Sequence, residues 1–321
     1  MLMIIACHFS GHGGFDLPTD FITLNKLWLQ FILMGGSLGN NLFVLISGYF
    51  LVNSSVLNFR RLFKLWGKIF FYSIVIYGLF LLCGVETFSV KTMLKSAMPI
   101  TKNQWWFATS YFILYLIHPY INVLLHAISK EECTKFIKAL VLYWCIIPTF
   151  TKSDFGANST INFICLYCFA AYIRMWREDL AGRKYLSFGV LCIMMNFITV
   201  VILDIVNMRI KISADYFLGM MRPLTLLGSV CLLLGFRRLN MPQSKFINII
   251  ASATFGVYLI HDNNLVRPFL WQSVFRNAVF QESPYLIPYS IAVILTVYIS
   301  CTLIELIRAK LFKTLSRGRL S

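Results

Sequence analysis

The sequence predicts an all-α protein, a polytopic integral membrane helical bundle of about ten transmembrane helices in one domain over residues 1–321. Of the 321 residues, 58% are hydrophobic and only 13% are charged, whereas a soluble domain carries about 25% charged residues. Apolar runs of about 18 to 22 residues, the length of a transmembrane helix, recur along the chain. No connecting segment is long enough to form a separate soluble domain.

The first apolar stretch, Met1 to Phe9, is too short to cross a bilayer. As a helix it is about 14 Å long, whereas a full span needs roughly 20 residues. We therefore expect the first span to be short or truncated. A loop rich in Gly and Asp follows, from Ser10 to about Leu24. Residues 25–35 are amphipathic and are predicted to lie at the membrane interface.

Nine further spans are predicted from apolar runs of helical length. They are residues 38–55, 66–84, 105–128, 136–150, 160–176, 186–206, 217–236, 246–266 and 285–307. Pro119 predicts a kink in the fourth span, and the pair Trp105-Trp106 is typical of the aromatic belt at a membrane interface. The spans carry most of the nine cysteines, including Cys165-x-x-Cys168, which we interpret as packing residues. No metal site is predicted.

The positions of the cations predict the orientation in the membrane. The formal charge of +16 would suggest nucleic-acid binding in a soluble protein. However, no basic face interleaved with aromatic residues is present, and the cations concentrate in alternate loops, which predicts ten spans with both termini in the cytoplasm. The cytoplasmic groups are Arg60, Arg61, Lys64 and Lys68; Lys130, Lys135 and Lys138; Arg174, Arg177, Arg183 and Lys184; Arg237, Arg238 and Lys245; and Arg308, Lys310, Lys313, Arg317 and Arg319.

His8 is the first candidate for chemistry. It lies in an apolar segment just before a Gly-rich break, and an ionisable residue within a span is a functional candidate. Histidine also accepts protons near neutral pH. The alternative is a structural interfacial histidine. His12, beside Gly, is interpreted as a loop residue.

A second group of candidates lies at the ends of other spans. Arg60 and Arg61 follow the second span. They either only set the orientation of the protein in the membrane or bind a phosphate-bearing cofactor, since guanidinium groups pair bidentately with phosphate. His261 is a structural residue or a site residue, and Asp262 beside it would not face it within a helix. Arg222 either snorkels or contacts an anion, with Asp204 as its candidate partner. Glu305 and Arg308 are predicted to form a local surface pair.

Several stretches, taken in order, resemble the acyltransferase-3 family of bacterial membrane proteins that O-acylate glycans. They are ACHF around His8, NNLFVLISGYFLV followed by Arg60-Arg61, QWWFATSYFILYLIHPYIN, and TFGVYLIH ending at His261. Each stretch alone is degenerate, and the match depends on their order and spacing. The family pattern also has an arginine, then ten residues, then its first histidine. The arginine position would precede Met1, which again indicates a truncated or misassigned start.

The resemblance implies an O-acetyltransferase that uses acetyl-CoA, or another acyl-CoA, as a donor substrate from the cytoplasmic side, with no permanently bound cofactor. The acceptor would be a hydroxyl of a cell-surface, capsular or exopolysaccharide sugar, or of its lipid-linked precursor. His8 corresponds to the family's presumed general base, and Arg60 and Arg61 correspond to its presumed CoA-phosphate contacts. Arg222, His261 and Trp106 are candidate substrate or oxyanion contacts. The expected partners are acyl-CoA, the glycan acceptor and membrane lipid, without nucleic acid.

The alternative from another functional class is a glycan flippase or small-molecule transporter. Such a protein should carry charged residues in the middle of facing spans and show repeat symmetry between its halves. In this chain the candidate residues concentrate at helix ends, and the two halves show no clear match. The sequence therefore favours the enzyme.

Overall fold

The computed structural model describes residues 1–17, 21–153, 155–177, 182–207, 213–239 and 242–317, which contain helices and no strand. In chain order the helices are α1 Leu2–His12, α2 Leu24–Leu33, α3 Gly35–Leu51, α4 Phe59–Leu82, α5 Val90–Ala97, α6 Trp106–Ala127, α7 Lys130–Val141, α8 Ile147–Thr151, α9 Ser159–Trp176, α10 Arg183–Asn207, α11 Pro223–Phe236, α12 Lys245–His261, α13 Val266–Pro268 and α14 Leu286–Arg317. Two π-helical turns, Leu142–Ile146 and Phe269–Val274, and two 3-10 turns, Tyr216–Leu218 and Asn277–Phe280, connect them.

Within the described ranges, seven helical segments are long and apolar enough to cross a membrane. They are Leu24–Leu51, Phe59–Leu82, Trp106–Ala127, Lys130–Thr151, Arg183–Val206, Tyr216–Phe236 and Leu286–Leu315. The helices Leu2–His12 and Lys245–His261 are apolar but shorter. The prediction of an all-helical, multi-pass membrane protein is therefore confirmed, but the count of about ten spans is not.

The segment predicted to lie at the interface, residues 25–35, continues into the predicted second span. Helices α2 and α3 together form the candidate span Leu24–Leu51. The side chain of Lys26 is only 4% exposed, and its ammonium nitrogen lies 3.0 Å from Oδ1 of Asp204. A buried cation needs such a partner, because removal from water is costly for an unpaired charge.

The chain folds as two compact units, each assembled from separated segments. The first unit contains Met1–Asp16, Gly67–Trp105 and Met241–Ser321, and the second contains Leu17–Trp66 and Trp106–Asn240. In the first unit, α1 and α12 both pack on α14. Gly256 of α12 allows this close packing, since a methyl group there would collide with the Glu305 side chain of α14.

Glu305 is the centre of a buried charge network in the first unit. Its carboxylate accepts hydrogen bonds from Tyr72 at 2.5 Å and from Arg308 at 2.7 and 2.8 Å, and it forms an ion pair with Lys68 at 2.9 Å. The prediction that Glu305 and Arg308 form a local surface pair is therefore wrong about their surroundings, because Glu305 is 2% exposed. The network ties α4 to α14.

In the second unit, α3 packs against α9 and α11, α6 packs against α9, and α10 packs against α11. Gly48 lies at the α3–α9 contact, where an added Cβ would be 3.0 Å from Ala170 and 3.2 Å from the Cα of Tyr167. Small residues at such contacts let membrane helices approach closely. Cys165 and Cys168 are free thiols buried in α9, consistent with the packing role predicted for them.

Candidate active site

His8 and His12 lie on the same face of α1, near its C-terminal end. They are four residues apart, which places them one turn from each other, and their ring centroids are 5.1 Å apart. The sequence GHGG suggested a loop at His12, but the helix continues through His12. Gly14, with a φ of 75°, lies just beyond that end. The interpretation of His12 as a loop residue is therefore wrong.

The end of α12 supplies the second half of the cluster. His261 is the last residue of α12, and Asp262 is its C-cap, with non-helical backbone angles. Because the helix ends there, Asp262 is free to turn toward α1. Its Oδ1 lies 3.4 Å from Nδ1 of His8 and 3.8 Å from Nε2 of His12. The structure thus brings together His8 and His261, two residues that the sequence singled out separately.

The hydrogen bonds of His261 assign the tautomers of both rings. Nδ1 of His261 lies 2.6 Å from the carbonyl oxygen of Val257, and a carbonyl can only accept. Nδ1 of His261 therefore carries the hydrogen in the neutral ring, and its Nε2 holds the lone pair. That Nε2 lies 3.0 Å from Nδ1 of His8, so Nδ1 of His8 donates. Nε2 of His8 is left with a lone pair that can accept a proton.

Arg267 compensates the buried carboxylate of this cluster. Its NH2 group lies 2.9 Å from Oδ1 of Asp262, and its Nε donates to the same oxygen at 3.0 Å. Asp262 is only 1% exposed, and its Oδ2 has no hydrogen-bond partner among the described residues. A charge this deeply buried is stable only when it is paired, and Arg267 supplies the opposite charge for Asp262 beside His8.

Side chains of the segment after α12 donate hydrogen bonds to carbonyl groups at the C-terminal end of α1. The side chain of Asn277 donates to the carbonyl oxygen of Phe9 at 3.4 Å, and Gln272 donates to that of His12 at 3.3 Å. The last carbonyls of a helix lack partners within the helix, and these amides supply them. Trp271, which is fully buried, packs edge-on against Phe9 at 6.1 Å between ring centroids. These contacts fix the C-terminal part of α1, directly after His8.

His8, His12 and Asp262 could in principle hold a metal ion, because their ligand atoms lie within 4.8 Å of one another. Two contacts argue against this. Oδ1 of Asp262 already binds the Arg267 guanidinium, whose positive charge would repel a cation. Nδ1 of His8 is engaged with His261. The arrangement suits proton transfer better than metal binding, and the sequence-based expectation of no metal stays a prediction.

Arg60 and Arg61 lie in the second unit, in the first turn of α4. Both are exposed, as is Lys64 one turn later. The side chain of Asn58 accepts from the backbone nitrogen of Arg61 at 3.0 Å and caps the helix start. The Arg61 side chain also donates a hydrogen bond to Tyr115. Three cations therefore surround the N-terminus of a helix, a place that already favours anions.

Arg222 is held within the second unit by Thr149 and Tyr216. Its Nε donates to the Tyr216 carbonyl and its NH1 to the Thr149 hydroxyl, both at 3.3 Å. Its guanidinium lies 4.3 Å from the centroid of the Tyr216 ring. The expectation that Asp204 would be its partner is wrong, because Asp204 pairs with Lys26.

Trp106 begins α6, in the second unit, and packs against aromatic rings. The centroid of its ring lies 5.7 Å from that of Phe107 and 6.1 Å from that of Phe163. These contacts give Trp106 a packing role. Its role in contacting substrate stays a prediction.

Sequence reasoning missed the contributions of Asp262, His12 and Arg267 to the cluster around His8. The spacing of His8 and His12 by four residues was a usable signal once α1 was extended to His12. Asp262 was considered only as a partner for its neighbour His261. Arg267 carries no local signal, because its contact with Asp262 depends on the chain turning after α12.

The comparison with protein families gives a match over nearly the whole chain. A family model described as an acyltransferase domain matches residues 1–305. Comparison with curated proteins and with solved structures found no match. The family match includes α1, α4 and α12, the helices that carry His8, the arginine pair and His261. Because this match covers nearly all of the chain, which also has a run of membrane-length helices, the chain belongs to the acyltransferase-3 family.

Proposed function

We propose that this protein is a membrane O-acetyltransferase that transfers an acetyl group from acetyl-CoA to a sugar hydroxyl of a surface glycan or its lipid-linked precursor. The observation that carries the proposal is the chain of contacts from Val257 through His261 to His8, which leaves Nε2 of His8 able to accept a proton. Family membership supports acyl transfer as the reaction class. We assign the acetyl donor and the glycan acceptor from the residues described in the next paragraphs.

His8 acts as the general base. A sugar hydroxyl is a poor nucleophile, and removal of its proton in the transition state accelerates such attack by about 10²- to 10⁴-fold. As the hydroxyl oxygen bonds to the thioester carbonyl carbon, its proton moves to Nε2 of His8, and the carbonyl becomes an oxyanion. The ring is then a cation, which the Asp262 carboxylate 3.4 Å from Nδ1 stabilises.

Collapse of the tetrahedral intermediate completes the reaction. The carbonyl re-forms, the carbon–sulfur bond breaks, and the sulfur of CoA takes the electron pair. The proton on Nε2 of His8 is then delivered to that sulfur, so that the products are the acetyl ester and CoA thiol. His8 returns to its starting tautomer because His261 still accepts from Nδ1.

Arg60 and Arg61 bind the phosphate groups of the donor. Their guanidinium groups are exposed, and Lys64 lies beside them. Cations at a helix N-terminus are unfavourable for the helix itself, since its dipole is positive there. Their presence is explained by an anionic ligand, which both the cations and the helix terminus would attract. The predicted orientation, with this end in the cytoplasm of a bacterium, gives the arginines access to soluble acetyl-CoA.

The test is the O-acetyl content of surface glycan in a strain that lacks the gene. We expect acetylation to be lost on deletion, restored by the intact gene and not restored by His8→Ala at normal expression. His126→Ala is the matched control, because His126 is exposed and its Nδ1 only contacts the carbonyl of Asn122. It should restore acetylation fully.

Two outcomes would contradict the proposal. Rescue by His8→Ala would move the base to another residue. Unchanged acetylation together with accumulation of glycan precursor inside the cell would favour the flippase, a class in which buried charged pairs within the spans, such as Lys68–Glu305, are expected.

A further inference from the structure

A cavity with polar and apolar lining residues lies in the second unit, apart from every residue assigned above to catalysis or donor binding. Its volume is about 210 Å³, and it is lined by Leu17, by residues of α2 and α10, and by residues between 213 and 218. Its polar lining consists of Lys26, Gln30, Asp204, Ser213 and Asp215. Leu17, Leu33, Val200, Ala214 and Leu218 supply an apolar wall.

Two buried oxygen atoms of the lining have no hydrogen-bond partner among the described residues. They are Oε1 of Gln30 and Oδ2 of Asp204. The residues are 6% and 4% exposed, respectively. A buried acceptor left unpaired costs about 1–3 kcal/mol, so each such group in a native structure calls for an explanation. Because both side chains line the same cavity, a bound molecule with hydrogen-bond donors would satisfy both.

The charges of the cavity select the kind of molecule. Asp204 is already neutralised by the Lys26 ammonium at 3.0 Å, and the carboxylate of Asp215 accepts from the Ser213 hydroxyl. A cation would lie against Lys26, and an anion would meet two carboxylates. An uncharged molecule with several hydroxyl groups donates to both unpaired oxygens without either penalty. Its ring carbons would contact the apolar wall.

The cavity size sets a limit on the ligand. Pockets for drug-sized molecules enclose roughly 300–1,000 Å³, so 210 Å³ suits a single sugar ring rather than an oligosaccharide. The predicted orientation also fits, because the start of α2 and the end of α10 are both expected on the outer side of the membrane, where the glycan acceptor would be.

From these observations we infer that Lys26, Gln30 and Asp204 form a binding site for one uncharged sugar ring of the acceptor. The inference rests on the proposed function for the choice of a sugar. The cavity and its unpaired oxygens are independent of that choice.

The experiment is a binding measurement on the purified full chain in detergent, without turnover. The probes are N-acetylglucosamine and the methyl glycosides of glucose, galactose and rhamnose. Binding of each probe is detected by saturation-transfer NMR and by the shift that it causes in the Tm of the protein. At least one glycoside should bind. Gln30→Met, which removes the acceptor oxygen at nearly constant length, should raise its Kd by about tenfold or more. The matched control is Gln104→Met in the first unit, where the lost bond to Ser73 lowers Tm but leaves glycoside binding unchanged.

Three outcomes would overturn the site. If acetyl-CoA raises Tm but no glycoside binds, the donor site stands and the sugar pocket fails. If Gln30→Met and Asp204→Asn bind the glycoside as the parent protein does, the sugar binds elsewhere. If ammonium or sodium chloride raises Tm and Asp204→Asn abolishes the rise, the cavity is a cation site. A purified intact protein that binds the glycoside but transfers no acetyl group would count against the proposed reaction and not against the cavity.

Discussion

Nε2 of His261 lies 3.0 Å from Nδ1 of His8, and this contact determines which nitrogen of His8 carries a hydrogen. His261 is itself oriented by its bond to the Val257 carbonyl. His261 is therefore a positioning residue, which keeps the lone pair of His8 on Nε2. Arrangements in which one side chain sets the tautomer of a catalytic histidine are common in enzymes.

Replacement of His261 tests this positioning role. His261→Leu removes the acceptor for Nδ1 of His8, so the ring can adopt the wrong tautomer, and we expect kcat to fall by roughly 10- to 100-fold. His261→Gln keeps an acceptor oxygen and should recover part of the rate. The measurement is acetyl transfer by purified protein, with KM for the donor unchanged in both variants. Equal loss in the two variants would indicate a packing role alone.

Asp262→Asn is expected to lower both activity and stability. The substitution leaves Arg267 without its carboxylate partner, and breaking a buried pair in this way costs about 3–5 kcal/mol. The imidazolium formed at His8 during the reaction also loses its counter-charge. Tm in detergent and the transfer rate at a temperature below Tm separate the two effects. Asp16→Asn, at an exposed position, is the control, and a similar drop there would argue against a specific role for Asp262.

Much of this site follows from the sequence, and the remainder depends on where helices end. His8 was identified because an ionisable residue in a short apolar helix is costly unless it is used. The rule that neighbouring residues on a helix do not face each other argues against a role for Asp262 beside His261, but the rule does not apply once α12 ends at His261. The ninth span was predicted to continue to residue 266, and this boundary error concealed the turn that brings Asp262 and Arg267 to His8.

For the fold as well, the sequence predicts the helices but not the contacts between them. Predicted spans such as 105–128 and 186–206 agree closely with Trp106–Ala127 and Arg183–Asn207, because apolar length alone determines them. Partners across the bundle, such as Lys26 with Asp204, follow from tertiary packing. No local pattern distinguishes that pairing from the one expected between Arg222 and Asp204.

Arg60→Ala and Arg61→Ala should weaken donor binding. Each removes an exposed guanidinium group from the N-terminus of α4. We expect KM for acetyl-CoA to rise by about tenfold, because the binding free energy of roughly one charge-assisted hydrogen bond is lost. Lysine at either position should restore part of the affinity, because it keeps the charge without the bidentate geometry. Arg183→Ala, an exposed arginine at the start of α10, is the control. An unchanged KM in the Arg60 and Arg61 variants would leave these residues with a topological role.

Glu305→Gln is expected to destabilise the first unit. The variant leaves Lys68 and Arg308 close together without the carboxylate that both contact. We expect a loss of about 3–5 kcal/mol, because one partner of a buried pair is removed. The measurement is thermal unfolding in detergent. Glu131→Gln is the matched control, since its pair with Lys135 is exposed; it should leave Tm unchanged, and an equal fall in both variants would contradict a special role for the buried network.

Gly48→Leu is expected to separate α3 from α9. An added Cβ would already lie 3.0 Å from Ala170 and 3.2 Å from the Cα of Tyr167, and a longer side chain must displace the neighbouring backbone. Overpacking of this kind costs typically 1–3 kcal/mol or more. Gly78→Leu provides the contrast, because nothing lies within 4 Å of a Cβ built at Gly78. If both variants unfold at the same temperature as the parent protein, α3 and α9 are not held as closely as the structure indicates.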